Sequence, residues 1–207
     1  MSATPSKFRH LLRAVIIPVL RRVAQALPAG DAWEKLEARV SLKSFGCGCL
    51  HEWAWYFEGQ STVQVKSIED VCDWLSGCEY KTDKALFNEP DFWQHPITFE
   101  RTRQGDCEDH SLWAWRKLSE FGYEAELIRG HCFDGRDLSA TAHAAVVFKQ
   151  NGASYFMEAT AKRGREQMLL PITAAHKRFC PDFSVDSSFK TYRYGGQILT
   201  LRRRLRE

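Results

Sequence analysis

The sequence predicts an α+β fold in which a helix packs against an antiparallel sheet, and two segments indicate it. Leu112, Trp115 and Leu118, followed by Phe121, recur at the spacing of a buried helical stripe. Farther along, the runs 143–148 and 154–160 are rich in β-branched and aromatic residues and flank an Asn-Gly pair, the strongest short-range hairpin signal.

Length and composition are those of one globular domain with a hydrophobic core. The chain has 207 residues, of which 44% are hydrophobic and 27% are charged. No apolar run reaches the roughly 18 residues that favour a membrane-spanning helix. The net charge of +3 is small and no recognisable DNA- or RNA-binding motif accompanies it, so nucleic acid is not an expected partner.

The cysteines and the N-terminus bear on the compartment. Seven cysteines, an odd number, leave at least one thiol unpaired within a monomer. The apolar stretch 14–17 is short, is interrupted by Pro18 and is followed by Arg21 and Arg22, which does not match a secretory signal. A reduced, cytoplasmic protein is therefore expected.

Residues 105–111, with the sequence GDCEDHS, place Cys107 at the predicted start of the helix. Unpaired backbone N–H groups and the helix dipole favour an anion there and lower the pKa of a thiol. The carboxylates of Asp106, Glu108 and Asp109 act in the opposite direction, because nearby negative charge raises a thiol pKa. A base or a bound cation would have to offset them.

His143, at the start of the first predicted strand, is the candidate base. With a two-residue turn at Asn151-Gly152, His143 and Glu158 share one face of the hairpin as diagonal neighbours, about 7–8 Å apart. A turn shifted to 150–151 would put them directly opposite, and a three-residue loop would break the shared face. A thiol, an imidazole and an orienting carboxylate are the parts of a nucleophilic triad.

These segments resemble the transglutaminase-like superfamily of cysteine hydrolases, and most closely its bacterial transglutaminase-like cysteine proteinases. The resemblance extends over about residues 68–160 and rests on GDCEDHS, FGYEAELIRG, HAAVVF and YFMEAT. It implies a papain-like core with Cys107 as nucleophile, His143 as base and Glu158 at the acid position, where many members have Asp. The sequence also departs after the histidine, where residues 144–146 lack the aromatic side chain that is usual in the family.

The resemblance implies acyl transfer through a Cys-His-Glu triad. The leading hypothesis is a cysteine peptidase or amidase that hydrolyses an amide bond of a protein or peptide. Transglutaminase-type cross-linking, in which an amine replaces water, and a non-catalytic binding module of the same fold stay open. No cofactor is required by this chemistry, but calcium-dependent proteinases of this branch hold Ca²⁺ with acids beside the cysteine, and Asp106 and Glu108 match those positions. The branch also has periplasmic members.

The segment 80–104 is predicted to be a turn-rich loop that leads to the nucleophile, and such loops tend to be functional. A side chain ahead of the cysteine donates to the oxyanion in related folds, and stabilising that oxyanion is often the largest catalytic contribution. Trp93, Gln94 and Gln104 are the candidates, and the sequence does not choose among them.

The predicted division of the chain is an N-terminal helical extension, 1–66, packed on or tethered to a transglutaminase-like catalytic core, 67–207. Residues 7–27 have the pattern of a basic amphipathic helix, which suits packing on its own domain, a partner's groove or an anionic membrane. Further expected elements are a helix over 32–42, a buried strand or groove wall at 53–57, a helix over 67–78, a strand over 124–128, a loop over 130–141, a helix start near 171 and a last strand over 191–201.

Cys47 and Cys49, with His51, suggest a zinc site that Cys72 and Cys78 would complete. However, one residue separates Cys47 from Cys49, whereas metal knuckles usually place about two to four residues between ligands. Buried thiols beside a glycine-containing turn are the preferred interpretation.

Overall fold

The structure is a computed structural model that describes residues 31–133, 138–162 and 164–195. The helices are α1 (Leu42–Phe45), α2 (Ile68–Ser76), α3 (Asp83–Leu86), α4 (Pro96–Thr102), α5 (Cys107–Glu120), α6 (Arg165–Met168) and α7 (Ile172–Ala175), with a 3₁₀ helix at Trp53–Phe57. The strands are β1 (Lys35–Glu37), β2 (Glu79–Tyr80), β3 (Gln104–Gly105), β4 (Ala125–Phe133), β5 (Leu138–Gln150), β6 (Ala153–Met157), β7 (Leu169–Pro171), β8 (Phe179–Asp186) and β9 (Thr191–Tyr194).

In the described part of the chain, a seven-stranded sheet has the order β1-β9-β8-β4-β5-β6-β7. Its neighbouring strands are all antiparallel, whereas β2 and β3 form a separate parallel pair. Helix α5 packs against β4 and β5 at the centre of the sheet. The α+β class predicted from the sequence is confirmed. Over these same residues, no helix has the length and apolar content that crossing a membrane requires.

Local signals at both ends explain the bounds of α5. The backbone N–H of Asp106 donates to the Asp109 carboxylate at 3.3 Å, which is half of a capping box. At the other end, Gly122 has φ +83°, and the N–H groups of Gly122 and Tyr123 donate to the carbonyls of Ser119 and Leu118 at 2.9 and 3.0 Å. This is a Schellman motif, for which glycine is the favoured residue. The capping interaction at Asp106 explains why the helix begins at Cys107, as predicted.

The hairpin of β5 and β6 has the predicted two-residue turn. Gln150 pairs with Ala153, and the register continues to Val146 and Met157. Asn151 and Gly152 have φ values of +51° and +78°, the positive values that a type I′ turn requires at both central positions. The register places the side chains of His143 and Glu158 on one face, although the ladder itself ends at Met157.

The sheet separates two hydrophobic clusters. The larger lies under α5, where Leu112, Trp115 and Leu118 pack with side chains of β4 and β5 such as Leu127 and Val146. The predicted stripe holds except at Phe121, which ends the helix and is 40% exposed. The smaller cluster covers the opposite face and consists of Ile128, Ala145, Phe156, Ala175, Phe179 and Tyr194, with Trp33 and Leu170 against it.

The predicted helix over 32–42 is wrong. Asp31 accepts the N–H of Trp33 at 3.0 Å in a turn, and β1 then pairs with β9 at the edge of the sheet. The edge of β9 offers backbone hydrogen bonds that a local helix signal does not reveal. Only α1 is helical near this segment, and it begins at Leu42.

Three other expectations are corrected. Residues 53–57 form a 3₁₀ helix rather than a strand, because Trp53 and Tyr56, three positions apart, both enter the core. The segment 80–104 contains α3 and α4 instead of being an unstructured loop. The expected loop 130–141 is largely strand, since β4 extends to Phe133 and β5 begins at Leu138.

Other predicted elements agree with the structure. Ser67 caps α2 by accepting the N–H of Asp70, β4 includes the strand expected over 124–128 except at residue 124, and α7 begins at Ile172. The last strand, β9, ends at Tyr194. Residues 7–27 and 196–207 lie outside the described residues. The boundary at residue 66 stays a prediction, although β1 joins the main sheet and Phe45 and Trp53 belong to the larger cluster.

Candidate active site

Cys107 and His143 line one cavity of about 440 Å³ at the N-terminal end of α5. The helix supplies Cys107 from its first turn, and β5 supplies His143 and Ala144. The lining also includes a second thiol, Cys47, together with Tyr80, Asp83, Asp91, Trp93, Asp106, Glu108 and Arg129. The cavity therefore brings together a thiol, an imidazole and several carboxylates from segments far apart in the sequence.

Glu158 holds the imidazole of His143. The Nε2 atom of His143 lies 2.9 and 2.7 Å from the two carboxylate oxygens of Glu158. The hydroxyl of Thr160 donates to Glu158 Oε1 at 2.6 Å. Burial raises the pKa of the Glu158 carboxyl, but the His143 and Thr160 hydrogen bonds outweigh it and leave that pKa below its ordinary value. An ionised Glu158 fixes the ring and leaves Nδ1 available to the cavity.

The Cys107 thiol lies beside a carboxylate of its own helix. It donates to Glu108 Oε2 at 3.1 Å, and no hydrogen bond joins it to His143. Burial raises the thiol pKa well above its ordinary value, as do the negative charges of Glu108 and Asp106, while a hydrogen bond from the Ala144 backbone lowers it. Burial and the acidic neighbours together thus outweigh the effect of the helix start, and offsetting the acidic charge would favour the thiolate.

Four carboxylates converge beside the thiol. Oxygens of Asp83, Asp91 and Glu108 lie within 4.8 Å of one another, and Asp83 and Asp106 belong to a second such group with Asp109. Oδ1 of Asp83 and Oδ1 of Asp106 are buried and have no hydrogen-bond partner among the described residues. Asp109 differs, since its two oxygens accept the backbone and side-chain N–H groups of Gln94.

The crowded carboxylates resist ionisation. Burial raises the pKa of Asp83 to about 6, and the charges of Asp106 and Asp91 add to this shift. Burial also raises the pKa of Asp106 and, to a larger extent, that of Glu108, which the Asp106 carboxyl raises further. Such a cluster is most stable when protons or a cation neutralise part of its charge.

His110 lies one turn beyond Cys107 and is fully buried. Its Nδ1 is 2.8 Å from the Asp106 carbonyl, and its Nε2 is 3.2 Å from Lys162 Nζ, which also donates to the Leu75 carbonyl. Burial, reinforced by the Lys162 charge, lowers the pKa of His110 to about 4. His110 is therefore neutral, with both nitrogens engaged, and it ties helix α5 to the segment that follows Glu158.

The three residues predicted as oxyanion donors are engaged elsewhere. Trp93 lines the cavity, but its indole N–H donates to Asp91 at 3.1 Å. The Gln94 amide is buried and donates to Asp109 and to the Gln104 carbonyl. The Gln104 amide donates to Glu79 at 2.9 Å. The structure does not bring the amides of Gln94 and Gln104 to the cavity.

Tyr80 lines the cavity and was missed by sequence reasoning. Tyr80 is 50% exposed, and its partial burial raises the pKa of the hydroxyl, as do the charges of Asp106 and Glu108, so that the hydroxyl stays a donor. The pairing of β2 with β3 delivers it, because Tyr80 lies opposite Gly105, two residues before the cysteine. A tyrosine at the start of a predicted loop gives no local sequence signal that it will line the cavity.

The cysteines near residue 50 do not assemble with His51. Cys49 is buried and Cys47 is exposed, while the ring of His51 stacks on Trp55 with centroids 3.7 Å apart. Within the described chain, the residue groups able to hold a metal ion are those beside Cys107. No disulfide bond joins any of the seven cysteines, all of which lie within the described residues.

No protein-family model matches the sequence, and no curated protein matches it significantly. Among solved structures, a LapG from Legionella pneumophila is 17% identical, with a TM-score of 0.48 over 91% of this chain and 97% of that one. A calcium-bound structure of the same protein is 18% identical, with a TM-score of 0.44 over 81% of this chain and 82% of the other. An EGTA-treated structure is also 18% identical, with a TM-score of 0.43 over 81% and 80%.

At this distance the neighbours assign neither an activity nor a ligand to this chain. Identities below 25% and TM-scores below 0.5 leave the chemistry to be judged from the side chains around Cys107.

Proposed function

We propose that the chain is a cysteine-dependent acyl-transfer enzyme that hydrolyses an amide or peptide bond. The observation that carries the proposal is the 2.7 Å contact between His143 Nε2 and Glu158, in a histidine that shares the Cys107 cavity. An imidazole held this way by a carboxylate presents Nδ1 as a base, which is the arrangement of a nucleophile-activating pair.

The proposed reaction has two halves. His143 Nδ1 takes the thiol proton as Cys107 Sγ attacks the carbonyl carbon, and the C=O electrons move to oxygen. When the oxyanion collapses, the C–N bond breaks, the amine takes the proton from His143, and a thioester remains on Cys107. His143 then removes a proton from water, whose oxygen attacks the thioester, and the carboxylic acid leaves as the thiol is restored.

Two groups suit the oxyanion. The backbone N–H of Cys107 belongs to the first turn of α5, where N–H groups have no partner within the helix. Tyr80 lines the same cavity, and the raised pKa of its hydroxyl keeps that group a donor. In this proposal Tyr80 and the Cys107 N–H take the place of the donors predicted from the sequence.

The carboxylates beside the thiol fit a calcium ion. Ca²⁺ prefers several oxygen ligands, including carboxylates, and Asp83 and Asp106 each have a buried oxygen without a hydrogen-bond partner in the described chain. Asp83, Asp106 and Glu108 would hold the ion, with Asp91 adjacent. When bound, it would neutralise the negative charge that keeps the Cys107 thiol protonated.

A small activated ester tests the proposal without knowledge of the natural substrate. With p-nitrophenyl acetate and CaCl₂, we expect a burst of p-nitrophenolate, acetylation mapped to Cys107, and turnover. Cys107→Ala and His143→Ala should each abolish the burst, the acetylation at position 107 and the turnover. Because the exposed Cys47 lines the same cavity, free N-acetylcysteine serves as the reference thiol. Acetylation of Cys107 no faster than that of N-acetylcysteine would overturn the proposal in favour of a non-catalytic binding module.

Hydrolysis and transamidation differ only in the group that resolves the thioester. Unfolded casein incubated with the enzyme and a biotinylated primary amine separates them. New peptide termini without biotin indicate hydrolysis, which we expect. Biotin attached to glutamine side chains would instead identify a transglutaminase.

A further inference from the structure

A second cavity, of about 770 Å³, lies on the other face of the sheet from α5. One part of its wall is apolar, with Phe156, Leu170, Ala175 and Phe179 from the smaller hydrophobic cluster and the partly exposed Cys132 beside them. The rest of the lining is mostly polar or charged. Glu158 lines it too, so the cavity reaches the back of the carboxylate that holds His143. Its volume falls in the range of about 300–1,000 Å³ that is usual for binding pockets.

The described chain begins at the edge of this cavity. The indole of Trp33 stacks on His176 with ring centroids 4.7 Å apart. It also lies 6.1 Å from Phe179 and 6.4 Å from Phe156, two residues of the cavity wall. Residues 28–30 alone separate the segment 7–27 from Asp31, and so short a connection spans at most about 14 Å. The segment is therefore tethered within reach of the cavity.

Close to this connection lies Trp33, whose indole N–H is the polar group of interest. Trp33 Nε1 is buried and has no hydrogen-bond partner among the described residues. A buried indole N–H without an acceptor is costly, and such groups are usually satisfied by nearby backbone or side chains. Residues that precede Asp31 are the part of the chain closest to it in sequence.

The chemistry of the segment matches the cavity. Its apolar residues recur at helical spacing and are Phe8, Leu11, Leu12, Val15, Ile16, Val19, Leu20, Val23 and Leu27. The remaining positions include basic residues, such as Arg21 and Arg22. The rim of the cavity carries both signs of charge, from Glu166, Lys177 and Arg178. Apolar contacts rather than charge would therefore fix the orientation.

We infer that residues 7–27 dock through their apolar face on the cavity formed by Phe156, Leu170, Ala175 and Phe179. The docked segment covers the Glu158 side of the sheet and leaves its basic face in water. This packing does not depend on the acyl-transfer activity.

Site-specific photo-crosslinking in the full-length chain tests the docking. Benzoylphenylalanine replaces Val23 in one variant and Arg21 in another, two positions that lie about 200° apart around a helix. Position 23 should crosslink to peptides that contain Phe156 or residues 169–179, and position 21 should give at least fivefold less of this product. Mixing light and ¹⁵N-labelled protein shows whether each crosslink lies within one molecule.

Two further measurements keep the test decisive. Leu170→Arg should reduce the crosslink from position 23 at least fivefold, whereas Leu50→Arg, at an exposed apolar residue elsewhere, should not. Crosslinks from position 23 to other regions, or only between molecules, would overturn the proposal. So would binding to phosphatidylglycerol vesicles together with the lack of an intramolecular crosslink in their absence, which would assign the segment to a membrane surface.

Discussion

The imidazole of His143, in β5, contacts the carboxylate of Glu158 at 2.7 Å. Glu158 directly follows β6, which the hairpin turn joins to β5. The contact sets the tautomer of the ring, because a carboxylate on Nε2 places the proton there and leaves Nδ1 as the acceptor. The function proposed for the chain depends on this arrangement more than on any other contact in the cavity.

Replacing Glu158 by Gln should slow acylation of Cys107 by p-nitrophenyl acetate by about 100-fold. The amide can bond to the ring but cannot stabilise the imidazolium that forms as the thiol loses its proton. Glu158→Asp, which keeps the charge on a shorter side chain, should retain more activity. Equal rates for Glu158→Gln and the wild type would show that the contact has no catalytic role.

Thr160 is expected to act as a positioning residue for Glu158. Its hydroxyl bonds to the carboxylate, and a hydrogen bond to a charged group contributes about 1.5–3 kcal/mol. Thr160→Val should therefore lower the acylation rate by about tenfold, since about 1.4 kcal/mol corresponds to that factor. It should also shift the acid limb of the pH–rate profile to higher pH, because the pKa of Glu158 rises when the hydrogen bond is lost. Thr160→Ser should restore both, and an unmoved acid limb in Thr160→Val would count against the role.

Calcium should stabilise the protein and change the reactivity of its thiol. Because burial and neighbouring charge raise the pKa of Asp83 to about 6, bound protons compete with the ion, and calcium affinity should rise as the pH passes through that value. Asp83→Asn should weaken binding measured by calorimetry and reduce the CaCl₂-induced increase in Tm. Asp73→Asn, at an exposed ion pair with Arg165, is the matched control. Equal calcium affinity in the two variants would contradict the assignment of Asp83.

The buried ion pair between Glu100 and Lys117, away from the candidate active site, should contribute to the loss of stability at acid pH. Burial raises the pKa of Glu100, but hydrogen bonds from Ser61 and Trp113 and the charge of Lys117 leave it below its ordinary value of 4.5. The folded state therefore holds the proton less tightly than the unfolded state, so this contribution is present above pH 4.5 and is lost as the pH falls.

Glu100→Gln should lower the free energy of unfolding at neutral pH by about 1.5–3 kcal/mol, since the Trp113 indole loses a charged acceptor, while Lys117 keeps its 3.5 Å contact with the partly exposed Glu120. It should also flatten the decline of stability below the ordinary carboxyl pKa. Urea unfolding at several pH values measures both effects. A variant that loses stability in acid as steeply as the wild type would show that Glu100 does not cause the decline.

Sequence reasoning succeeded where the determinants are local. The start of α5 at Cys107 follows from helix periodicity and from acids in the first turn, and the face shared by His143 and Glu158 follows from the Asn151-Gly152 turn. These signals act within a few residues of one another, and the pattern exposes them directly.

What it missed depends on partners far apart in the chain. Asp83 reaches the acidic cluster because the N–H of Phe92 holds its carboxylate at 2.6 Å, and Tyr80 reaches the cavity through pairing with Gly105. The strand at Lys35–Glu37 exists because β9 offers an edge. Helix and strand patterns carry no information on such long-range contacts. The catalytic roles and the cytoplasmic location stay predictions.

The most direct test of the central claim is the alkylation rate of Cys107 by iodoacetamide over about pH 4–9, with calcium present, in the wild type and in His143→Ala. We predict an apparent pKa below the ordinary thiol value of 9.0, lost in the variant and raised above that value by EGTA. Mass spectrometry follows Cys107, and free N-acetylcysteine in the same sample is the reference thiol, because the exposed Cys47 lines the same cavity. If Cys107 reacts no faster than N-acetylcysteine and is indifferent to both His143→Ala and calcium, Cys107 and His143 are not a catalytic pair.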